Sequence, residues 1–522
     1  MWFRQMTTPF LSIAGRWTIC AKPTNWSIQN GFLLVRLSGW EIWILNCTTG
    51  VSAGDGRIPC WRFGFLSAKN KRLRISLIGL NSAWYHSNPA LYYLRGSLRD
   101  LPFEVCLREF SIAEPLFDIL TQIVHDRPDV ASFSAYVWNS LDLRRLIPEL
   151  KKLMPGLKVV LGGPEATNGD FGLAEGDFRV KGPGEGVFRR LAESGFELPG
   201  GTYEAPAPPL SELPFLYRRS DRPALQGRLV YYESSRGCPF RCAYCLSALD
   251  KRNEARFDPS LASDRRKLRS ELDRLLELKP RTLKFVDRSF NAHSRLARLI
   301  WEHAIRQKQS CEFHFEIYPD LLTEEDLRIL EKAPPGRIRF EVGVQTVNTA
   351  VSRACGRNSN WGKVKAALVA LRERTAICVH ADLLVGLPGE KYASVLRSLD
   401  ELASTFPAEI QLGMLKILPG TPMQEIASQR GFLWQNDPPW QVLKTDALSF
   451  EQVARLQELA KILNLYWNKG EFTAQWQELI SASNRASSIC LRLLKLHRQR
   501  GLTLHSVGKS TRAEVFAELL SL

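Results

Sequence analysis

The stretch SRGCPFRCAYC, residues 235–245, places Cys238, Cys242 and Cys245 at CxxxCxxC spacing in a loop that contains glycine and proline. The loop directly follows an apolar run, 229–235, that predicts a β-strand. Three thiolates on one loop can face a single metal centre. Four-iron clusters usually take four cysteines, so a three-cysteine site leaves one iron open to a small molecule. Zinc is the alternative, but it prefers four Cys or His ligands, and no CxxC or HxxxH partner follows at typical spacing.

Alternating strand and helix patterns extend on both sides of this loop. The strands predicted downstream are 229–235, 282–287, 312–317, 338–344, 379–385 and 409–418, with helices between them such as Ser263–Leu278. Six βα units predict a partial barrel. The strands predicted upstream are 73–80, 130–135 and 157–166, and the helices between them are Pro89–Leu98 and Leu141–Leu153. This upstream alternation predicts an α/β fold with a parallel, doubly wound sheet.

The cysteine loop, with Tyr244 before its last cysteine, resembles that of the radical S-adenosylmethionine superfamily, whose fold is a partial (β/α)6 barrel. The resemblance implies that Cys238, Cys242 and Cys245 ligate a [4Fe-4S] cluster and that Tyr244 lies beside the adenine of S-adenosylmethionine. It also implies that the open iron binds the amino and carboxylate groups of S-adenosylmethionine. An electron from the cluster is then expected to cleave this molecule to methionine and a 5′-deoxyadenosyl radical.

Four later segments are similar to strand motifs of the same superfamily. They are FEIYPDLL (315–322), EVGVQT (341–346), HADLLVGLPGE (380–390) and LKILPGTPM (415–423). Barrel enzymes gather ligands at the carboxyl ends of several strands, so the resemblance implies cofactor contacts for Glu316, Gly343, Gln345 and Asp382. For the acids and the amide, a role as a cap or a core partner stays open.

Residues 73–190 resemble the cobalamin-binding domain that precedes the barrel in one large class of these enzymes. The class pattern runs DxHxxG, a spacer, SxL, a second spacer and GG. Here 42 residues separate Pro89 from Ser132, and 27 separate Ser134 from Gly162. The resemblance implies cofactor contacts for Ser132, Ser134, Gly162 and Gly163. The letters depart from the pattern, because Trp84 stands in place of the Asp and Pro89 in place of the first Gly.

Two residues near this domain bear on how cobalamin is held. In the class's His-on form a histidine ligates cobalt and the Asp orients its ring, a bond that Trp84 cannot accept. We therefore expect cobalamin to bind with its dimethylbenzimidazole tail displaced and without His86 as a strong ligand. GPGEGVFRRL (182–191) is similar to a segment between the two domains, so Glu185 is expected to face the cofactors or to cap a helix.

Five regions are predicted along the chain. They are a leader at 1–70, the cobalamin-binding domain at 71–200, a linker at 201–225 that includes the Pro-rich 204–214, the barrel at 226–430 and a C-terminal helical domain at 431–522. The leader holds six of the 14 tryptophans and shows no sustained periodicity, so we expect disorder, with a start codon placed too far upstream or a lineage-specific extension as the explanation. Residues 439–472 resemble part of an uncharacterised domain that accompanies one branch of these proteins.

Composition restricts the classes of protein. No uncharged apolar run reaches the roughly 18 residues of a membrane span, and no secretory pattern opens the chain. We therefore expect a cytoplasmic protein whose 11 cysteines form no disulfides. Residues 1–72 contribute +7 of the net charge of +16, with nine Lys and Arg against two Asp and Glu. No run of five basic residues occurs, so nucleic acid is not an expected partner.

The resemblance implies methyl transfer to an unreactive carbon, or else a radical rearrangement or cyclisation, on a small-molecule or peptide substrate. The expected electron donor is a flavodoxin or ferredoxin. Methylthiolation of tRNA shares the barrel, but it should bring three further cysteines, and only Cys106 lies between 73 and 237. A cobalamin sensor with a vestigial barrel is disfavoured because all three loop cysteines are present.

Overall fold

The computed structural model describes residues 72–249, 255–482 and 485–521, together with the backbone of five leader strands. The chain divides into two units, Met1–Leu73 and Arg74–Leu522. The leader strands are β1 (Leu11–Ile13), β2 (Trp17–Ile19), β3 (Asn25–Gln29), β4 (Phe32–Leu37) and β5 (Trp40–Leu45). β1 pairs with β2, and β3, β4 and β5 form a second antiparallel sheet. The rest of the leader lies outside the described residues, so the interpretation of this segment stays a prediction.

A six-stranded parallel sheet opens the second unit. Its strands are β6 (Arg74–Asn81), β7 (Glu104–Ser111), β8 (Val130–Ser134), β9 (Lys158–Gly162), β10 (Phe178–Lys181) and β11 (Gly201–Glu204), in the order β11-β10-β9-β8-β6-β7. β11 therefore extends the sheet into the range predicted as linker. The chain leaves β6 towards β7 and returns on the other side as β8, which creates a switch point between β6 and β8 where such sheets bind ligands.

Helices cover both faces of this sheet, as predicted for a doubly wound fold. They are α1 (Pro89–Ser97), α2 (Leu116–Asp126), α3 (Ser140–Leu153) and α4 (Glu185–Glu193). On one face Leu77 and Val160 pack with Phe188 of α4. On the other face Ile78 packs with Ile147 of α3. Two separate buried cores therefore hold the sheet between its helices.

The second sheet belongs to the barrel. Its region contains β12 (Leu229–Tyr232), β13 (Ser235–Arg236), β14 (Ala255–Arg256), β15 (Thr282–Phe285), β16 (Glu312–Ile317), β17 (Ile338–Gln345), β18 (Cys378–Val385) and β19 (Glu409–Met414). The helices are α5 (Arg222–Leu225), α6 (Ala262–Glu277), α7 (Ser294–Arg306), α8 (Glu324–Leu330), α9 (Thr349–Ala354), α10 (Trp361–Arg374), α11 (Tyr392–Ala403) and α12 (Pro422–Gln429). Six parallel strands lie in the order β12-β15-β16-β17-β18-β19, which confirms the predicted partial (β/α)6 barrel.

Barrel strands alternate strictly between apolar and polar faces. In β17, Phe340 and Val342 are buried in the core, whereas Glu341 and Gly343 are partly exposed. β18 repeats this pattern. Because successive side chains of a strand point to opposite faces, the apolar set packs on the helices and the polar set lines the barrel interior.

The C-terminal region covers the last strand of the barrel. It comprises β20 (Leu433–Trp434), β21 (Val442–Lys444), α13 (Phe450–Tyr466), α14 (Thr473–Ser481), α15 (Ala486–Gln499) and α16 (Lys509–Ser521). The Asn468 side chain accepts a hydrogen bond from the Ile410 backbone N–H at 2.9 Å and donates one to the Ile410 carbonyl at 3.1 Å. These bonds satisfy part of the free edge of β19. None of the described helices is long and apolar enough to cross a membrane.

Candidate functional site

The three predicted cluster ligands lie on one loop between β13 and β14, and their thiols form no disulfide. Cys238 Sγ lies 3.5 Å from Ser289 Oγ, and the Cys245 backbone N–H donates to the Cys242 carbonyl at 3.0 Å. Among the described residues, the three cysteines included, no group of three His, Cys, Asp or Glu side chains is arranged to hold a metal ion. Three free thiols on one loop are nevertheless the donor set that an iron–sulfur cluster requires. The residues fit the group, and their role as ligands stays a prediction.

Asp287 anchors the strand that leads into this loop. Its buried carboxylate accepts hydrogen bonds from the Ser234 backbone N–H at 2.9 Å, the Ser234 hydroxyl at 2.7 Å and the Ser235 hydroxyl at 2.6 Å. Burial raises the pKa of Asp287 to about 6, although the three hydrogen bonds oppose this rise. Asp287 was not identified from the sequence, because it stands 51 residues after Arg236 and belongs to no recognised motif.

Arg357 is a second residue near the loop that the sequence analysis did not single out. Its guanidinium donates to Cys242 Sγ at 3.8 Å and to the Gly343 carbonyl, and it lies over the Tyr318 ring at 4.4 Å from the centroid. The preceding Gly356 has φ of +70°, and a Cβ there would meet the Arg241 carbonyl oxygen at 2.9 Å. A glycine is therefore required where this segment approaches the cysteine loop. The tight turn at Cys-Gly-Arg, residues 355–357, is the one local sequence signal that could have indicated Arg357.

Tyr244 packs beside the loop as its predicted neighbour. Its buried hydroxyl finds no hydrogen-bond partner among the described residues, and burial raises the pKa of Tyr244 well above its usual range. A buried polar atom without a partner is costly unless a ligand or water satisfies it. This orphaned hydroxyl fits the expected proximity to a polar cofactor.

The predicted strand-end residues lie on three neighbouring strands. In the ladders of the sheet, Glu316 of β16 stands beside Glu341 of β17, and Gly343 of β17 stands beside Asp382 of β18. Gln345 has φ of +69° at a register shift in β17, and its Nε2 lies 2.5 Å from where a Cβ of Gly343 would be. A side chain at 343 would require the end of the Gln345 side chain to move. The structure therefore brings Glu316, Gly343, Gln345 and Asp382 together at one part of the barrel.

A charged network fills the barrel interior next to these residues. Lys284 Nζ donates to Glu341 Oε2 at 2.8 Å and lies 3.3 Å from Glu316 Oε1. His314 Nε2 lies 3.1 Å from Glu341 Oε2, and His380 Nε2 lies 3.2 Å from Asp382 Oδ1. Four residues of this network were not identified from the sequence, because each is a single polar residue in a strand that alternates between polar and apolar positions. They are Lys284, His314, Glu341 and His380.

Burial and these charges set the ionisation of the network. Burial raises the pKa of Glu316 and of Asp382. Burial also acts to raise the pKa of Glu341, but the hydrogen bond with His314 and the charge of Lys284 outweigh it and hold that pKa far below its usual range. Glu341 is therefore an anion at neutral pH, so the interior offers charged groups that can bind polar parts of a ligand.

The first sheet places its predicted residues around the switch point. Ser134 ends β8 and accepts a hydrogen bond from Asn88 Nδ2 at 2.7 Å, whereas the buried Ser132 hydroxyl has no hydrogen-bond partner among the described residues. Gly162 ends β9. Gly163 has φ of +99°, and a Cβ there would meet the Ala135 carbonyl oxygen at 2.5 Å. Gly163 therefore allows the end of β9 to approach the residue that follows β8.

Aromatic side chains are exposed at this end of the sheet. Trp84 follows β6 and is 71% exposed, and Trp138 follows β8 and is 43% exposed. Trp138 stacks on Tyr136 at 4.4 Å between ring centroids, and its indole N–H donates to the Leu80 carbonyl at 3.1 Å. The switch point therefore presents flat apolar surfaces on which a large ring system can lie.

His86 connects the switch point to the barrel. Its Nδ1 is hydrogen-bonded to the Tyr231 hydroxyl of β12 at 2.7 Å, and its backbone pairs with Leu229. Burial, assisted by the positive charges of Lys284 and Arg228, lowers the pKa of His86. The ring is therefore neutral at physiological pH, and its Nδ1 is already in contact with the barrel.

Glu185 forms a second connection between the two domains. Its Oε1 lies 2.5 Å from Arg236 Nη2, and Arg236 also binds Glu233 and lies over the Tyr93 ring at 5.4 Å. Glu185 lies in the first turn of α4, where a carboxylate also interacts favourably with the helix N-terminus. From there the carboxylate holds the residue two positions before Cys238.

Family comparisons agree with this architecture. The model described as "B12 binding domain" matches residues 75–192, the "Radical SAM superfamily" model matches 232–402, and "Protein of unknown function (DUF4080)" matches 428–521. The ribosomal protein uS12 methylthiotransferase RimO of Heliobacterium modesticaldum is 28% identical over 178 residues, which are 33% of this chain and 38% of that protein. The matches to curated relatives span only 22% to 38% of the length of those proteins.

Solved structures share the fold over a larger part of the chain. The radical S-adenosylmethionine methyltransferase TsrM from Kitasatospora setae, bound to tryptophan and a S-adenosylmethionine analogue, has a TM-score of 0.53 at 20% identity, covering 69% of this chain and 76% of that one. The cobalamin-dependent S-adenosylmethionine radical enzyme OxsB, bound to aqua-cobalamin and S-adenosylmethionine, has a TM-score of 0.59 at 12% identity, covering 86% and 78%.

The comparisons confirm the predicted resemblance and fold class. The matched domain models agree with the predicted use of cobalamin and S-adenosylmethionine, and the iron–sulfur cluster stays a prediction. Which residues of this chain hold these groups stays a prediction. The chain therefore contains, in that order, regions that match a B12-binding domain, the radical SAM superfamily and a C-terminal domain of unknown function, and it shares its fold with cobalamin-dependent radical S-adenosylmethionine enzymes.

Proposed function

We propose that this protein transfers a methyl group to an unactivated carbon of a small-molecule or peptide substrate. When bound, the cluster with S-adenosylmethionine supplies a 5′-deoxyadenosyl radical that abstracts hydrogen, and cobalamin supplies the methyl group. One observation carries the proposal: the two predicted cofactor regions are in direct contact. His86, at the switch point, touches Tyr231 of the barrel, and Glu185 of the B12-binding domain holds Arg236 beside the cysteine loop.

The residues of the chain then have distinct tasks. Asp287 and Arg236 fix the strand that leads into the cysteine loop, and Arg357 lies against Cys242. Lys284 and Glu341 present fixed charges inside the barrel, where they can orient polar groups of S-adenosylmethionine or substrate. Positioned charges in a partly buried site bind such groups without further rearrangement.

Two other reactions remain as alternatives. A radical rearrangement or cyclisation would use the same residues and would consume no methyl group. The curated relative RimO is a methylthiotransferase. Methylthiolation should bring three further cysteines ahead of the barrel, but the only cysteine from 73 to 237 is Cys106 on β7. Methyl transfer is therefore the function that we propose.

Product analysis separates these reactions. Anaerobically reconstituted protein, supplied with cobalamin, S-adenosylmethionine and a reductant, should release both S-adenosylhomocysteine and 5′-deoxyadenosine, as measured by mass spectrometry. Release of 5′-deoxyadenosine alone would favour a rearrangement or cyclisation. Replacement of Cys238, Cys242 and Cys245 by Ala should abolish cluster absorbance and both products, whereas Cys106→Ala should preserve them. Iron retained by the triple variant would contradict the proposed ligand set.

A further inference from the structure

A basic pocket of about 460 Å³ lies at the amino-terminal end of the barrel strands. We call it the basal pocket and define it by Phe215, Arg218, Arg222, Arg274, Leu278 and Lys279. Lys279 lies between α6 and the start of β15, and another lining residue, Gln309, lies between α7 and the start of β16. The cysteine loop follows the carboxyl end of β12, and all barrel strands are parallel. The basal pocket is therefore at the end of the barrel opposite the radical chemistry.

The charges of the basal pocket are strongly unbalanced. Five cations line it, Arg218, Arg219, Arg222, Arg274 and Lys279, against one carboxylate, Glu277. Arg219 lies 3.4 Å from that carboxylate, and Arg274 lies over the Phe215 ring at 4.0 Å from its centroid. Among the described residues, Arg218, Arg222 and Lys279 have no ion-pair partner. Burial and the positive charges of Arg95 and Arg99 lower the pKa of Arg218, as expected where cations crowd together.

The walls of the basal pocket are fixed by buried contacts. Asp221 forms a buried ion pair with Arg95 and accepts a hydrogen bond from the Arg218 backbone N–H at 2.7 Å. The Gly227 backbone N–H donates to the Lys279 carbonyl at 3.0 Å, which ties the two sides together. The lining also contains the buried side chains of Phe215 and Leu278. The cations therefore project from a rigid surface.

We propose that the basal pocket binds a phosphorylated small molecule of nucleotide size. Its volume falls in the range of small-molecule sites, roughly 300–1,000 Å³. Guanidinium groups pair with phosphate oxygens through parallel N–H donors, so Arg218 and Arg222, with Lys279, would hold the phosphates. The flat part of the ligand would stack on the Arg274 guanidinium, which itself lies over the Phe215 ring. This site is separate from the proposed reaction and does not depend on it.

Calorimetric titration of the full-length protein tests the site with ATP, inorganic triphosphate and adenosine as probes. We expect ATP and triphosphate to bind once per chain, more weakly as salt is added, and adenosine to bind at least about tenfold more weakly than ATP. The double variant R218A/K279A should lose ATP affinity by about tenfold or more. R266A removes an exposed cation outside the pocket on α6, the helix that carries the lining residue Arg274, and should bind like the wild type.

A second variant keeps the test decisive if R218A/K279A does not fold. Glu277→Gln removes the pocket's one carboxylate and should strengthen ATP binding by about twofold or more. Absence of triphosphate binding to the wild type, or equal ATP affinity in R218A/K279A, would overturn the proposal. Competition between ATP and S-adenosylmethionine would also overturn it, because it would place ATP in the radical site.

Discussion

The His86 ring is hydrogen-bonded to the phenol hydroxyl of Tyr231, whereas in the His-on cobalamin-binding class a carboxylate orients the corresponding histidine. The Tyr231 hydroxyl lies 2.7 Å from His86 Nδ1. Trp84, which stands at the position of the class's Asp, is 71% exposed and has no carboxylate to accept a hydrogen bond from the His86 ring. If Nε2 met a metal, Nδ1–H would donate to a neutral oxygen, which polarises an imidazole less than a carboxylate does. The contact therefore supports the expectation of a weak cobalt ligand or none.

We predict that the electron paramagnetic resonance spectrum of bound cob(II)alamin lacks the threefold splitting that a nitrogen ligand imposes on each cobalt line. His86→Ala should leave the spectrum unchanged, because the histidine is not expected to bind cobalt. Tyr231→Phe, which removes only the hydroxyl, is the matched control and should also have no effect. Splitting that is present in the wild type and absent from His86→Ala would show that His86 is a ligand.

Asp287 links pH to stability at the entrance of the cysteine loop. Its pKa is about 6 in the folded protein and about 3.9 in an unfolded chain. A carboxyl whose pKa is higher in the folded than in the unfolded state stabilises the folded state. This contribution is complete below the pKa of the unfolded state and disappears as the pH rises through the pKa of the folded state. The relevant window is therefore roughly pH 4 to 7.

We predict that the stability advantage of wild type over Asp287→Asn decreases by about 2 kcal/mol between pH 4 and pH 7. Urea denaturation of cluster-free protein at stepped pH measures this difference in the free energy of unfolding. Asp118→Asn, which makes the same change at an exposed position of α2, is the matched control. A difference that is constant or grows with pH would contradict the raised pKa of the buried Asp287 carboxyl.

At the scale of elements, the open edge of β19 determines what the C-terminal region does. The barrel stops at six strands, so the backbone of β19 would be free to pair with another chain. α13 packs against this strand, Asn468 bonds both backbone groups of Ile410, and the Trp467 indole donates to the Pro407 carbonyl at 3.0 Å. The domain of unknown function therefore closes the barrel edge.

We predict that Asn468→Ala lowers the free energy of unfolding by about 1–3 kcal/mol, since it leaves two backbone groups of β19 without partners. Hydrogen exchange of the Ile410 amide should accelerate in the variant, which mass spectrometry of peptides from β19 can follow. Asn436→Ala, at an exposed site of the same region, provides the control. Unchanged exchange at Ile410 would show that α13 protects the edge without this side chain.

Across the whole molecule, the three domains contact one another directly. Besides the His86 and Glu185 contacts, Arg144 of the B12-binding domain lies 3.1 Å from Asp437 of the C-terminal region. The Trp440 indole donates to Glu165 at 3.4 Å. One buried core also contains both barrel strands and C-terminal helices, including Leu456 and Leu493. Residues 74–522 therefore form one unit in which each domain contacts the others.

We predict that a chain ending at residue 438 aggregates, because it exposes the β19 edge and the apolar residues that α13 and α15 cover. Size-exclusion chromatography of the truncated and full-length proteins, expressed in parallel, measures this outcome. A soluble monomer that still binds S-adenosylmethionine would contradict the role assigned to the C-terminal region.

The domain order, the six barrel strands and the position of the cysteine loop followed from the sequence, because strand alternation and CxxxCxxC spacing are local patterns. β7 was missed, since EVCLREFS carries charges at Arg108 and Glu109 within a partly exposed edge strand and lacks a continuous apolar run. Only the tertiary structure paired Asp287 with Ser234, Arg357 with Cys242 and Tyr231 with His86. Those partners stand 53, 115 and 145 residues apart. A hydrogen bond over such separations has no periodicity in the sequence, because folding alone brings its two ends together.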